Sequence, residues 1–309
     1  MIRQRTLQKV VRILGVGLHS GEQVSLNIHP APSNTGIIFR RTDISPVPHI
    51  TAQYDKVDDA RLCTSLQQDG VKIGTIEHLM SAFSGLGIDN AYVDVDGIEL
   101  PIMDGSAAPF VKELQLAGIQ EQEAPKRFIR ILNTIRVEDG DKYVQLSPYE
   151  GFKVVFTIDF KHPYFVEKPK TLAFQFSGSS YIEEISNART FGFLSDYEQL
   201  KACNLAKGGS LENAIVVDDN GIMNEGGLRF DAEFIAHKIL DAIGDLYLLG
   251  HGLLGVFEGH KSGHALNNRL LRELMMRPND WEYVSFEDST ETPVHFSTWW
   301  PTTSLFAEA

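Results

Sequence analysis

The sequence predicts an α+β protein made of two similar halves that face each other across a shared site. Three observations carry that prediction. Strand-like and helix-like segments follow the same order on either side of a polar run, Gln120-Glu-Gln-Glu-Ala-Pro125. A histidine stands at matching places in the principal apolar helix of each half. With 309 residues, 43% of them hydrophobic, the chain can bury a core in one large domain or in two of ordinary size.

The elements follow in order. In the first half, residues 24–28 and 35–40 read as strands and 76–85 as an apolar helix. A strand over 91–95, a glycine-containing turn and a helix over 107–117 complete it. In the second half, strands over 127–137, 143–148 and 153–160 lead to a helix over 234–249. A strand over 253–258, a glycine turn and a helix over 265–276 follow. Ile76-Glu77-His78 superposes on Ile235-Ala236-His237 at an offset of 159 residues, and Asp104-Gly-Ser-Ala107 on Ser262-Gly-His-Ala265 at 158. The polar run divides the chain into domains 1–124 and 125–309. Between 177 and 227 the second half carries extra material: Thr190-Phe-Gly-Phe193, Lys207-Gly-Gly-Ser-Leu211 and the apolar run 214–217. This reads as an inserted strand–helix–strand excursion lining a groove.

Composition excludes several function classes. Two cysteines, Cys63 and Cys203, make no disulfide framework and no cysteine-rich zinc site, so any metal must be held by His and carboxylate. A net charge of −13 argues against nucleic acid as a partner but allows a small anionic substrate held by a few local cations. The N-terminus lacks the apolar core of a secretory signal. The greasiest stretch, 246–257, is too short and too broken by Gly250-His-Gly252 to span a bilayer. The expectation is a cytoplasmic, monomeric protein.

Three clusters carry chemistry. In His237-Lys-Ile-Leu-Asp241, a His and an Asp four residues apart share one helix face, and Asp245 extends the line one turn further. The apolar stripe of Ile235, Ile239, Ile243, Leu246 and Tyr247 lies opposite, so the same pattern also describes a solvated face. Glu77-His78 opens the first half's helix, with Thr75 expected as its N-cap. Glu77 there also suits the helix dipole alone. His78, His237 and Asp241 together would make a three-ligand zinc site with its fourth position open, the catalytic arrangement. The third cluster is Lys261-Ser-Gly-His-Ala-Leu-Asn-Asn268, where His264 is either a general acid or a loop histidine. As an acid it needs a carboxylate partner, for which Asp245 is the candidate.

Seven ordered segments resemble the zinc-dependent UDP-3-O-acyl-N-acetylglucosamine deacetylase family of lipid A biosynthesis. They are Gly15-Val-Gly-Leu-His-Ser-Gly21, Thr75-Ile-Glu-His-Leu79, Gly87-Ile-Asp-Asn90, Pro101-Ile-Met-Asp-Gly-Ser-Ala-Ala-Pro-Phe110, Ala188-Arg-Thr-Phe-Gly-Phe193, His237-Lys-Ile-Leu-Asp-Ala-Ile-Gly-Asp245 and the His264 loop. The resemblance runs from about residue 2 to 288. It implies two similar α+β domains with helices packed between two sheets, each with an insert, and one Zn²⁺ per chain held by His78, His237 and Asp241. It implies Glu77 as general base, His264 as general acid, Thr190 assisting the oxyanion and Asp245 orienting His264. Lys238 falls where the family contacts the phosphate–sugar end of its UDP-linked acylated amino-sugar substrate. Lys142, Phe160 and Asp196 fall at positions associated with the nucleotide. Cys63 and Gly209 count among the substrate contacts, and the insert around 193–217, with Phe191, forms the acyl passage. Two residues depart from the pattern: Asn187 stands where a basic residue is usual, and Lys207 where an apolar one is.

Overall fold

The computed structural model describes residues 1–287 and Pro293. Positions 288–292 and 294–309 of the expected second domain lie outside the described residues.

Two sheets repeat one strand order. In the first half it runs Val11–Val16, Gln23–Pro30, Ala91–Val95, Ile37–Arg41, His49–Thr51. In the second it runs Ile135–Asp139, Lys142–Ser147, Gly252–His260, Phe152–Thr157, Thr171–Gln175. In each, the central strand pairs antiparallel with the second strand of the hairpin before it and parallel with the strand after it. The second sheet is widened to seven strands by Phe128–Ile131 and Trp281–Val284. Alternating burial along the strands marks one face of each sheet as core, as with Val24, Leu26 and Ile28, and with Phe152, Val154 and Phe156.

Two expected segments differ. The run 127–137 is two strands, because Leu132 and Asn133 turn outward and donate their backbone N–H groups to Asp280. The polar run near the expected boundary is itself a strand, Ile119–Pro125, paired antiparallel with Arg3–Leu7. Its polarity follows from a two-stranded ribbon with one wet face.

The helices are α1 (Glu77–Leu86), α2 (Ala108–Ala117), the single turn α3 (Gly178–Ser180), α4 (Leu194–Ala202), α5 (Glu233–Leu246) and α6 (His264–Met275). Helices α1 and α5 lie against each other, α5 also against the strands Phe152–Thr157 and Thr171–Gln175, and both are buried in one core with the two sheets. Their backbones touch at Gly244, where an added Cβ would lie 2.1 Å from the Glu77 carbonyl oxygen. The architecture is therefore helix on helix between two sheets, one of the few ways to bury two one-sided sheets at once.

Each half also carries an insert. In the first it is a meander, Val57–Asp59, Ser65–Gln68 and Val71–Ile73. In the second, Phe191–Phe193 runs into α4 and pairs in parallel with Ile215–Asp218, the expected strand–helix–strand excursion.

Candidate active site

Helix α5 decides between the two readings of its polar stripe. His237, Asp241 and Asp245 are only 2%, 3% and 2% exposed, so the stripe is no solvated face. It faces α1 and a cavity of about 250 Å³. There His237 Nε2 lies 3.3 Å and His78 Nε2 3.6 Å from Asp241 Oδ1. One ligand atom from each of the three residues falls within 4.8 Å of the others, spacing that fits one metal ion. The His237 Nδ1–H donates to the Ala188 carbonyl at 3.0 Å, which fixes the tautomer and leaves the Nε2 lone pair facing the group. Burial pushes the His237 pKa down to about 3, so the imidazole is neutral. Burial opposes ionisation of Asp241, but contacts with His237, Lys238 and His78 outweigh it and hold the carboxyl well below its ordinary range. Two imidazoles and a carboxylate are the donor set that a zinc ion takes.

Beside this trio sits a titratable pair. Glu77 is buried, and desolvation lifts its pKa to about 7. Its Oε1 lies 3.8 Å from His264 Nε2. The His264 Nδ1–H donates to Asp245 Oδ2 at 2.8 Å. Burial alone would lower the pKa of His264; the charge and hydrogen bond of Asp245, then Glu77 and Asp241, raise it to about 10 instead. The structure brings Asp245, the candidate partner for His264 as an acid, within hydrogen-bond distance of its ring.

Thr75 does not cap α1. Its φ is +56°, unusual for a β-branched residue, and its hydroxyl donates to Glu99 Oε1 at 2.8 Å instead. The Glu99 carboxylate also accepts from the backbone N–H groups of His19 and Ser20. That network holds the strained residue, a conformation of the kind that costs roughly 1–3 kcal/mol and clusters at functional sites.

The cavity wall brings together Cys63, Glu77, His78, Phe160, Thr190, Phe191, His237, Lys238, Asp241 and His264. Thr190 is pinned through its backbone, its N–H to the Gly105 carbonyl at 2.7 Å and its own carbonyl to the Ile215 N–H at 2.8 Å. Lys238 contacts Asp241 Oδ2. Phe160 and Phe191 meet edge to face at 5.5 Å beside His237. Lys142 is not on this wall but exposed at a hairpin turn, and Asp196 is exposed in the first turn of α4. Gly209 lies off the wall in the loop after α4, against Leu18. Lys207 is exposed and borders a second cavity of about 790 Å³, which shares His19, Leu62, Cys63 and Thr75 with the first.

Sequence reasoning missed several residues of the site. Asn267 donates to Asp245 Oδ2 at 2.8 Å, and its spacing from His264, one turn on, was a usable signal. Thr64, which bonds both Asp245 and Glu77, lies in the first insert and gave no periodic signal. His19, both of whose ring nitrogens are buried without a hydrogen-bond partner, sits in the glycine-bounded segment 15–21, whose pattern assigned it no role.

A sheet–helix–helix–sheet α+β frame with a buried His-His-Asp group beside a carboxylate–imidazole pair is the arrangement of a hydrolase with a candidate metal centre. Similarity to known proteins narrows the class. A family profile described as "LpxC: UDP-3-O-acyl N-acetylglycosamine deacetylase" matches residues 4–276. Proteins named UDP-3-O-acyl-N-acetylglucosamine deacetylase are similar along their whole length. That of Legionella pneumophila (strain Corby) is 62% identical over 97% of this chain and 99% of its own. Those of Chromohalobacter salexigens and Alcanivorax borkumensis are 58% and 56% identical, each over 96% of this chain and 98% and 97% of their own. The chain belongs to the LpxC deacetylase family.

Proposed function

We propose that this chain hydrolyses the 2-acetamido group of a UDP-linked, 3-O-acylated N-acetylglucosamine, releasing acetate, as a zinc-dependent step of lipid A biosynthesis. The observation that carries the reading is one cavity holding the His78–His237–Asp241 group with Glu77 and His264 3.8 Å apart beside it. His78, His237 and Asp241 would hold a zinc ion, which would supply Lewis acidity toward a water molecule and an amide carbonyl.

The chain's own groups do the rest. Glu77, with a pKa near 7, is ionised enough at neutral pH to take a proton from the attacking water. The Thr190 hydroxyl donates to the carbonyl oxygen as it gains charge, a role typically worth about 3 kcal/mol in oxyanion holes. His264, held protonated by Asp245, gives its proton to the departing amine, which leaves poorly without one. Two titratable groups whose environments set them apart in this order, base below acid, suit one base and one acid between pH 7 and 10. Lys238 neutralises the phosphate–sugar end of the substrate, Lys142, Phe160 and Asp196 serve the nucleotide, and the insert receives the acyl chain beside Phe191, Cys63 and Gly209.

The test is metal content and acetate release by the purified protein before and after chelation. One zinc per chain, with activity lost on chelation, restored by zinc and the fold retained, is the expected result. Full turnover without metal, or unfolding on chelation as in a structural zinc module, overturns it.

A further inference from the structure

One buried threonine belongs to neither helix of the site yet touches both sides of it. Thr64 is 2% exposed, at the end of the loop that leads into the strand Ser65–Gln68 of the first insert. All three of its polar groups are used. Its backbone N–H donates to Glu77 Oε2 at 3.0 Å, and its carbonyl accepts from the Ile76 N–H at 3.3 Å. Its hydroxyl donates to Asp245 Oδ1 at 2.6 Å, across a sequence separation of 181 residues.

The consequences follow from what each oxygen can do. A carboxylate accepts several hydrogen bonds, and the two oxygens of Asp245 divide the work. Oδ2 takes the His264 Nδ1–H and the Asn267 amide, and Oδ1 takes the Thr64 hydroxyl. With Oδ1 tied, the carboxylate cannot rotate about its χ2 axis, so the His264 ring that leans on Oδ2 keeps its orientation. The same residue, through its backbone, fixes Oε2 of Glu77 and leaves Oε1 facing His264 Nε2. We propose that Thr64 is a positioning residue that ties the general base of one half to the carboxylate orienting the general acid of the other, setting their separation across the cavity. The proposal rests on the acid–base roles given above to Glu77 and His264. It assigns to the first insert a part in catalysis as well as in shaping the cleft.

Thr64→Val keeps the shape and the backbone N–H and removes only the hydroxyl; Thr64→Ser keeps the hydroxyl and removes the methyl. Loss of one hydrogen bond to a charged group predicts kcat for deacetylation about 10- to 100-fold lower in Thr64→Val, with KM and zinc content unchanged. Thr64→Ser should recover most of that loss. In an Asp245→Ala background the same Thr64→Val change should cost little, since its partner is already gone. Wild-type kcat in Thr64→Val, equal losses in the Val and Ser variants, or fully additive losses with Asp245→Ala each overturn the proposal. If Thr64→Val is too unstable to assay, the comparison of Thr64→Ser with wild type decides, a large kcat loss pointing to packing and against the hydroxyl. A wild-type protein that binds zinc but releases no acetate sinks the deacetylase reading itself, a separate outcome.

Discussion

Helices α1 and α5 are counterparts, and the comparison shows where a duplicated frame becomes a site. Aligned on His78 and His237, Gly85 falls on Gly244. Both glycines are contact points: an added Cβ would meet the Tyr181 ring at 2.1 Å in the first helix and the Glu77 carbonyl at 2.1 Å in the second. The differences lie on the polar face. Ala82 stands where the second helix has Asp241, Leu86 where it has Asp245, and Glu77 where it has Ala236. The loops before α2 and α6 repeat the lesson, with Ser106 matching His264. Ser106 and Asp104 serve structure there, bonded to each other at 2.7 Å and to Arg229. The frame is shared, but the polar groups are loaded unequally: among the described residues, the His78–His237–Asp241 group and the Glu77–His264 pair each draw on both halves.

The sharpest way to break that picture is at the unequal positions. Glu77→Ala makes the first helix match Ala236 of the second; kcat should fall by about 10²–10⁴-fold with zinc retained. Turnover near the wild-type rate would show that the base lies elsewhere. His264→Ala should lose activity to a similar degree. A pH profile tests both groups at once. As the proposed base, Glu77 must be deprotonated to act, so kcat/KM should rise as pH passes upward through about 7. As the proposed acid, His264 must be protonated to act, so the rate should fall as pH passes through about 10. A bound cation moves both limbs downward, since it favours the deprotonated forms. Asp245→Asn should pull the basic limb lower, because Asp245 contributes most to holding the His264 proton.

The shared positions sharpen the comparison from the other side. Gly244→Ala forces a methyl against the α1 backbone and should cost about 1–3 kcal/mol of stability, read from denaturant unfolding. Ser106→Ala should have the smallest effect, about 1 kcal/mol of stability from lost hydrogen bonds, with kcat unchanged. A large kcat loss there would mean that the first half's loop also touches the chemistry.

Much of this was legible in the chain, and the limit is physical. Period and spacing are local properties, so residues on one helix face, such as His237, Asp241 and Asp245, announced themselves, and so did the repeated order of strands and helices. The resemblance added roles that no periodicity assigns, Thr190 among them. What the chain left open was whether that face meets water or another helix, because burial depends on what lies against it. Only the crossing of α1 and α5 decided it, by bringing His78 onto Asp241 and sealing the group from solvent. Thr75 shows the reverse failure: a good capping residue by type, it was drawn into αL backbone by Glu99, a partner 24 residues away. Thr64 had no local signature at all, since its partners lie 13 and 181 residues along the chain. Local pattern along the chain was enough for the repeated frame and most of the candidate site residues. Their distances, protonation and mutual restraint were settled by tertiary structure, because a hydrogen bond or a desolvated charge depends on neighbours in space.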